Sequence, residues 1–232
     1  MDGVKFLSLD RLNVWYSPGK SVLDDFSLEL GNHEIVGLIG LNGAGKTTFI
    51  KTLSGLTSSF QIGAALWQGE AFSFRDRTFK ENRYTVFAED HSFGYFTFRE
   101  YLSYAAASYG VKQPDFSALA RGFHFEDYVD VLLKELSTGN LKKAYLMTAF
   151  ALHPKLLLLD EPVNGLDFQS TEYLYELIGG YRKYGTILFS SHILESICLT
   201  SDRVLVLEQG RIRNTFVGAE INSETIREVL KE

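Results

Sequence analysis

The sequence predicts an α/β protein with a parallel sheet at its centre and an antiparallel β segment ahead of it. Three observations predict this. First, the apolar run Ile35-Val36-Gly37-Leu38-Ile39, the glycine-rich Gly40-Leu41-Asn42-Gly43-Ala44-Gly45-Lys46-Thr47 and the stretch Thr48 to Leu53 read as buried strand, tight loop and helix. Second, Leu156-Leu157-Leu158-Leu159 is a continuous apolar run between Pro154 and Asp160. It is too short for a helix and fits a central strand buried on both faces. Third, strand-like and helix-like stretches alternate, the order that gives a parallel sheet covered by helices.

Taken in order, Val4 to Tyr16 alternates apolar and polar residues, as a half-exposed strand does, and Ser17-Pro18-Gly19-Lys20 is a turn cluster. Val22 to Leu30 reads as a second strand, and Gly31-Asn32 turns the chain into the strand before the glycine loop. Gly63 to Gly69 reads as a strand ending in a turn, and Tyr84 to Phe87 as a short buried strand running out at Ala88-Glu89-Asp90. From Phe98 to Tyr109 the pattern is helical, with Phe98, Tyr101, Leu102 and Ala105 on one face. Phe116 to Leu136 reads as further helix, interrupted near Gly122. Leu141 to Leu152 is a helix stopped by His153-Pro154. Thr171 to Tyr184 carries an apolar stripe of Leu174, Leu177, Ile178 and Tyr181. Thr186 to Phe189 is another buried strand, Val204–Leu207 and Arg211–Val217 form a hairpin around Gln209-Gly210, and Ser223 to Leu230 is a short helix. There is no repeat, low-complexity tract or linker, so residues 1–232 read as one domain, with a helical part over approximately 90–150.

Bulk composition narrows the function. With 45% hydrophobic and 22% charged residues, the 232-residue chain has an ordinary globular balance and enough length for a sizeable core. A net charge of −6 lacks the basic footprint of a nucleic-acid binder, so no nucleic-acid partner is expected. The single cysteine, Cys198, rules out an intramolecular disulfide and fits a reducing compartment. Met1-Asp2-Gly3-Val4-Lys5 opens no long apolar segment, so no secretory signal is expected. The best apolar stretch, Ala144 to Leu152, is far short of a bilayer span, so no direct membrane insertion is expected.

The glycine loop fits G-x-x-x-x-G-K-[ST]. Its glycines let backbone N–H groups of Asn42, Gly43, Ala44, Gly45, Lys46, Thr47 and Thr48 turn toward an anion at a helix N-terminus. Lys46 can reach the β- and γ-phosphates of a nucleotide, and the Thr47 hydroxyl can ligate Mg²⁺. The second acidic motif, Leu156-Leu157-Leu158-Leu159-Asp160-Glu161-Pro162, puts acids at the carboxyl end of a strand, where open α/β sheets bind ligands. Asp160 can then hold Mg²⁺ opposite Thr47, and Glu161 can polarise a water attacking the γ-phosphate.

Between these motifs lies Leu136-Ser137-Thr138-Gly139-Asn140, ahead of the helix at Leu141. With it the chain resembles the ATP-binding cassette (ABC) family of ATPases over essentially its whole length. The family signature is a Leu-Ser-Gly-Gly-Gln-like segment; here Thr138 and Asn140 depart from it, while Ser137 and Gly139 match. The resemblance implies a P-loop NTPase (RecA-like) core, an N-terminal antiparallel β subdomain and an inserted α-helical signature subdomain. It also implies that Ser137 and Gly139 contact ATP bound to a partner cassette, a second copy of the chain or a homologous ATPase subunit. Tyr16 stands where the family stacks an aromatic ring on adenine, the alternative being a strand-end tyrosine in the core. Asn164-Gly165-Leu166-Asp167 resembles the loop that crosses the dimer interface, and His192, after Phe189-Ser190-Ser191, matches the histidine that contacts the γ-phosphate. One departure concerns Phe87-Ala88-Glu89, where the family has glutamine; Glu89 takes the place of a residue that helps hold Mg²⁺, and a carboxylate can do the same.

By the same resemblance the expected activity is ATP hydrolysis with ATP and Mg²⁺. Nucleotide-driven dimer closure would power transport, in the export direction, by a separate membrane-spanning subunit. The chain would then be cytoplasmic, peripheral on the inner face of the cell membrane. Two other classes stay open: a soluble ABC ATPase without a transport role, and a regulatory subunit with low turnover. Residues 72–128 hold 16 of the 32 aromatic side chains, which serve either as the core of the helical part or as a groove rimmed by some of Phe93, Tyr95, Phe96, Phe98 and Tyr101 for a helix of the membrane subunit.

Overall fold

The structure, a computed structural model, describes residues 5–17 and 19–231. Val4 of the first expected strand and Pro18 of the expected turn lie outside the described residues. The organising element is a six-stranded sheet made of β3 (Ile35–Ile39), β7 (Arg83–Val86), β8 (Leu156–Asp160), β9 (Thr186–Ser191), β10 (Arg203–Glu208) and β11 (Arg211–Val217). Its order is β11-β10-β3-β9-β8-β7, with β11 antiparallel at the edge and every other pairing parallel. The crossovers are helical: α1 (Lys46–Leu53), α5 (Thr138–Leu152), α6 (Phe168–Gly180) and α7 (Leu194–Thr200).

Strand periodicity builds two cores from this one sheet. Along β8, Leu157 and Leu159 enter one apolar cluster, while Leu156 and Leu158 enter the other. Strands β3 and β9 split the same way, Ile35, Ile39, Ile187 and Phe189 against Val36, Leu38 and Leu188. All four leucines of β8 are fully buried. Each contributes about 1.5–3 kcal/mol by leaving water, which is why the apolar run could not have been a surface strand.

One core is closed by helices: α3 (Phe98–Ser108), α4 (Ser117–Gly122), α5, α6, α7 and Ile226 of α8 (Ser223–Lys231). The other is closed by α1 and by a second, antiparallel sheet. That sheet runs β2-β1-β5-β6, from β1 (Leu7–Ser17), β2 (Lys20–Leu30), β5 (Ala64–Trp67) and β6 (Glu70–Ala71), with β4 (Phe60–Gln61) also pairing β1. A short helix, α2 (Arg77–Asn82), leads from it into β7.

Most expected elements are present, and the antiparallel strands β1 and β2 precede the parallel sheet as anticipated, with β4, β5 and β6 joining them after β3. One expectation holds in part. Helix over Phe116 to Leu136 is interrupted at Gly122 as expected, where α4 ends, but it does not resume: only 3-10 turns follow at Glu126–Tyr128 and Leu133–Glu135. His124, with a φ of 52°, breaks the helical path. The break lets Phe123 and Phe125 both reach the core, where each is fully buried, and that burial outweighs continued helix. The aromatics divide as well. Phe98 and Tyr101 are core, whereas Phe93, Tyr95 and Tyr104 are exposed. Phe93 contacts Phe96 and Tyr104 at ring-centroid separations of 5.6 and 5.3 Å.

Candidate functional site

A cleft of about 400 Å³ opens at the carboxyl ends of β3 and β8, lined by Val22, Asn42 to Thr48, Glu161, Asn164 and His192. Its floor is the loop from β3 to α1. Gly43 and Gly45 have φ values of 86° and 112°, conformations that a side chain would strain. A Cβ on Gly45 would also meet Leu23 Cδ2 at 2.8 Å. Thr97, Ser137 and Asp167 cap α3, α5 and α6 with their side chains; α1, like the shorter α2, α4 and α7, has no side-chain cap, and it is α1 that starts at the floor of this cleft. Its first-turn N–H groups therefore face the cleft without a protein partner from a cap, the arrangement that binds phosphate.

Lys46 is buried, and its ammonium donates to the Gly40 carbonyl at 2.7 Å and lies 3.6 Å from Glu161 Oε1. The Thr47 hydroxyl donates to Asp160 Oδ1 at 3.2 Å, and Ser190 Oγ donates to the same oxygen at 2.7 Å. Asp160 is fully buried, yet its Oδ2 has no hydrogen-bond partner among the described residues. A buried carboxylate oxygen left unpaired is costly. Beside the exposed Thr47 hydroxyl it suits a hard cation that takes oxygen ligands and completes its shell with water and phosphate. Mg²⁺ fits this donor set.

Glu161 holds a left-handed backbone (φ 47°) directly after β8. Its amide donates to Ser190 Oγ at 2.9 Å. Its Oε2 accepts from the His192 amide at 3.2 Å and lies 2.7 Å from His192 Nδ1. A carboxylate fixed at both oxygens, next to a cationic lysine and a half-exposed imidazole, can orient and deprotonate a water. Tyr16 is 64% exposed, and its hydroxyl sits 3.2 Å from Thr48 Oγ1. The core alternative for this ring is thereby excluded, and its face is free for a flat partner beside the phosphate loop.

Ser137, Gly139 and Asp167 are not among the residues lining this cleft. Ser137 is exposed and caps α5 by accepting from the Asn140 amide at 3.3 Å. Gly139 packs so close to the Gly165 carbonyl that a Cβ would approach it to 2.6 Å. Asp167 caps α6 and accepts from Lys143 Nζ at 2.7 Å. Lys143 is buried and also donates to the Phe123 carbonyl, tying the signature helix to the loop after Glu161. The Lys143 hydrogen bond holds the Asp167 carboxyl well below the usual carboxylate range, with the Ser170 amide and hydroxyl adding to it against the effect of burial. Lys143→Met is expected to return the Asp167 titration, followed by carboxyl carbon NMR, toward the ordinary value near 3.9. A depressed pKa means that Asp167 stabilises the fold above about pH 4, and that this contribution fades as acid protonates it.

Glu89 is not among the residues lining the cleft that holds Thr47. It is exposed and lines a small neighbouring pocket with Asp90, His91, Thr138, Lys142 and Tyr145. Sequence reasoning missed Ser190, Lys142 and Lys143. Ser190 carried one signal, a hydroxyl following the apolar run of β9; the two lysines lie in a stretch that reads only as helix and carried none.

Fold and cleft together define a phosphate-loop nucleotide-binding cassette with a paired acidic motif. The chain belongs to the ABC transporter family: the family model for ABC transporters matches residues 23–164. It is 35% identical over 227 residues to AlbC of Bacillus subtilis, named as an ABC transporter ATP-binding protein, covering 94% of each chain. It is 31% identical to the cobalt import ATP-binding protein CbiO of Rhodobacter capsulatus, covering 94% of this chain and 81% of that one. Among solved structures, an ATP-binding subunit of an ABC transporter superposes with a TM-score of 0.83 at 28% identity, covering 97% of this chain and 93% of the other. The core is accordingly a P-loop ATPase fold, and the chain is an ATP-binding, ATP-hydrolysing subunit of this family.

Proposed function

We propose that the chain works as half of an ATP-driven motor, in which two cassettes close on two ATP molecules and drive a membrane-spanning subunit. The observation that carries this reading is the split of the site. Lys46, Thr47, Glu161 and His192 line one cleft, with Asp160 hydrogen-bonded to Thr47 beneath it, while Ser137 and Gly139 lie outside it. Ser137 is exposed at the N-terminus of a fifteen-residue helix, where its hydroxyl and the helix end can meet a γ-phosphate brought by another chain. ATP bound between two such surfaces favours the closed dimer over the open one, which is what a power stroke requires.

In this reading Tyr16 stacks on adenine, the amides of 42–48 hold the phosphates, and Lys46 exchanges Glu161 and the Gly40 carbonyl for phosphate oxygens. Glu161 takes the proton of the attacking water, and His192 holds Glu161 and the γ-phosphate in place. Thr47 and Asp160 would hold Mg²⁺, with Glu89 joining after movement; the ion supplies charge neutralisation on the phosphates. Asp167, fixed by Lys143, shapes the loop that crosses to the second cassette.

No helix among the described residues is long and apolar enough to cross a membrane. The chain would meet the membrane through its partner, peripheral on the cytoplasmic face. The rings of Phe93, Phe96 and Tyr104, in mutual contact with Phe93 and Tyr104 exposed, give that partner an apolar landing surface beside the Glu89 segment. Export is the proposed direction, resting on the likeness of Leu136–Gly139 and Ser191–Glu195 to exporter cassettes; a cobalt-import relative at 31% identity lends it no support.

Mixing two inactive variants tests the split site. Lys46→Met loses the phosphate side and Gly139→Val the signature side, so each alone is expected to be inactive as a homodimer. Mixed, they form a heterodimer with one intact composite site, and phosphate release should recover to about a quarter of the parent rate, since half the dimers carry one of two sites. No recovery in the mixture, with both variants folded by circular dichroism, would sink the shared-site reading.

A further inference from the structure

The ladder between β7 and β8 ends at Val86. The next carbonyls, those of Phe87 and Ala88, are held from elsewhere. Lys142, on α5 and only 5% exposed, donates to them at 2.6 and 2.7 Å. One turn further along the same face, Tyr145 donates its hydroxyl to the Ser92 carbonyl at 2.5 Å. Helix α5 therefore grips both ends of the segment that carries Glu89. The same helix starts at the Ser137 cap and at Gly139, packed against Gly165.

A buried ammonium is costly, and a well-packed apolar side chain would be cheaper for stability alone. Here burial lowers the Lys142 pKa to about 8, while Asp160, Asp90, Glu161 and Glu89 favour its charged form. Its two carbonyl bonds are charge-assisted and stronger than neutral ones. Such a group makes sense as a tie between parts that move.

We propose that Lys142 is a positioning residue for ATP hydrolysis, fastening the segment from Phe87 to His91 to the signature helix so that the two shift together. The proposal rests on the shared-site reading. In that reading α5 reports the partner's ATP through Ser137 and Gly139, and the Glu89 segment lies beside the chain's own cleft and the aromatic landing surface. Lys142 then carries nucleotide state from one to the other.

Amide hydrogen exchange of the full-length chain, read by mass spectrometry, tests this. Without nucleotide, Lys142→Met is expected to speed exchange across residues 87–91 by about tenfold, leaving residues 144–152 unchanged. Lys142→Gln, which keeps a donor, should fall between parent and Met. With ATP in a Glu161→Gln background, residues 137–141 and 87–91 should both gain protection when Lys142 is present; with Lys142→Met only 137–141 should. In otherwise unaltered chain, Lys142→Met should lower kcat about fivefold and shift the KM for ATP less than about twofold, the sign of lost positioning rather than lost binding. Parent-like exchange at 87–91 in the variants, or protection of both segments in Lys142→Met, overturns the proposal. Should the Met variant fail to fold, the Gln variant decides. If ATP leaves 137–141 unprotected in the Lys142-containing chain, the shared-site reading falls, and the nucleotide-free comparison still decides whether Lys142 is the tie.

Discussion

Replacing Glu161 by glutamine is expected to slow ATP hydrolysis by about a hundredfold to a thousandfold while ATP remains bound. The substitution removes a proton acceptor and little else. Glutamine has the same length, and its carbonyl can accept from the His192 amide as Oε2 does now. The backbone that places it, left-handed at φ 47° and anchored through its amide to Ser190, does not depend on side-chain charge. Binding should hold because the loop amides and Lys46 are untouched. Steady-state phosphate release gives the rate, and equilibrium dialysis with labelled ATP gives the affinity. A rate within about threefold of the parent would remove Glu161 from the chemistry.

How much of this was legible in the sequence varies with the range of the contact. The phosphate loop, Asp160 and Glu161 are set by local patterns, glycines in a turn or an acid ending an apolar strand, and each lies where those patterns put it; His192, read from the family resemblance, follows β9 and meets Glu161. Tyr16 was legible in position but not in exposure. Whether a strand-end ring turns inward depends on what β1 packs against, and that is decided by β2 and α1, far apart in sequence. Ser190 and Lys143 were illegible for the same reason. Their partners, Asp160 and Asp167, come from other elements, and nothing in a lone serine or lysine announces them. The false helix over Phe116 to Leu136 shows the opposite error. The interruption near Gly122 was legible, but burying Phe123 and Phe125 left only 3-10 turns where helix was expected to resume, which local propensity does not foresee. Glu89 is intermediate. The strand before it is present, but the residue lines a separate pocket with Thr138, Lys142 and Tyr145 of α5, a neighbourhood that local sequence does not announce.

Lys46→Met is expected to lower ATP affinity about tenfold to a hundredfold and to destabilise the nucleotide-free fold, two effects with different causes. The affinity loss follows from removing a charge-assisted donor to phosphate, worth about 1.5–3 kcal/mol. The stability loss follows from what Lys46 does without nucleotide. It satisfies the buried Gly40 carbonyl and faces Glu161, whose side chain is 11% exposed. Removing one member of a buried pair costs about 3–5 kcal/mol. Glu161 keeps its contacts to His192, so the lower end of that range applies. A double variant separates the causes. Adding Glu161→Gln to Lys46→Met removes the uncompensated carboxylate, so the urea midpoint should recover toward the parent value while ATP affinity stays low. If stability did not recover, the loss would come from the Gly40 carbonyl alone, and Lys46 and Glu161 would not be energetically coupled. If affinity recovered as well, Lys46→Met would weaken ATP binding only by freeing Glu161 to repel phosphate, rather than through loss of the lysine's own contact with it.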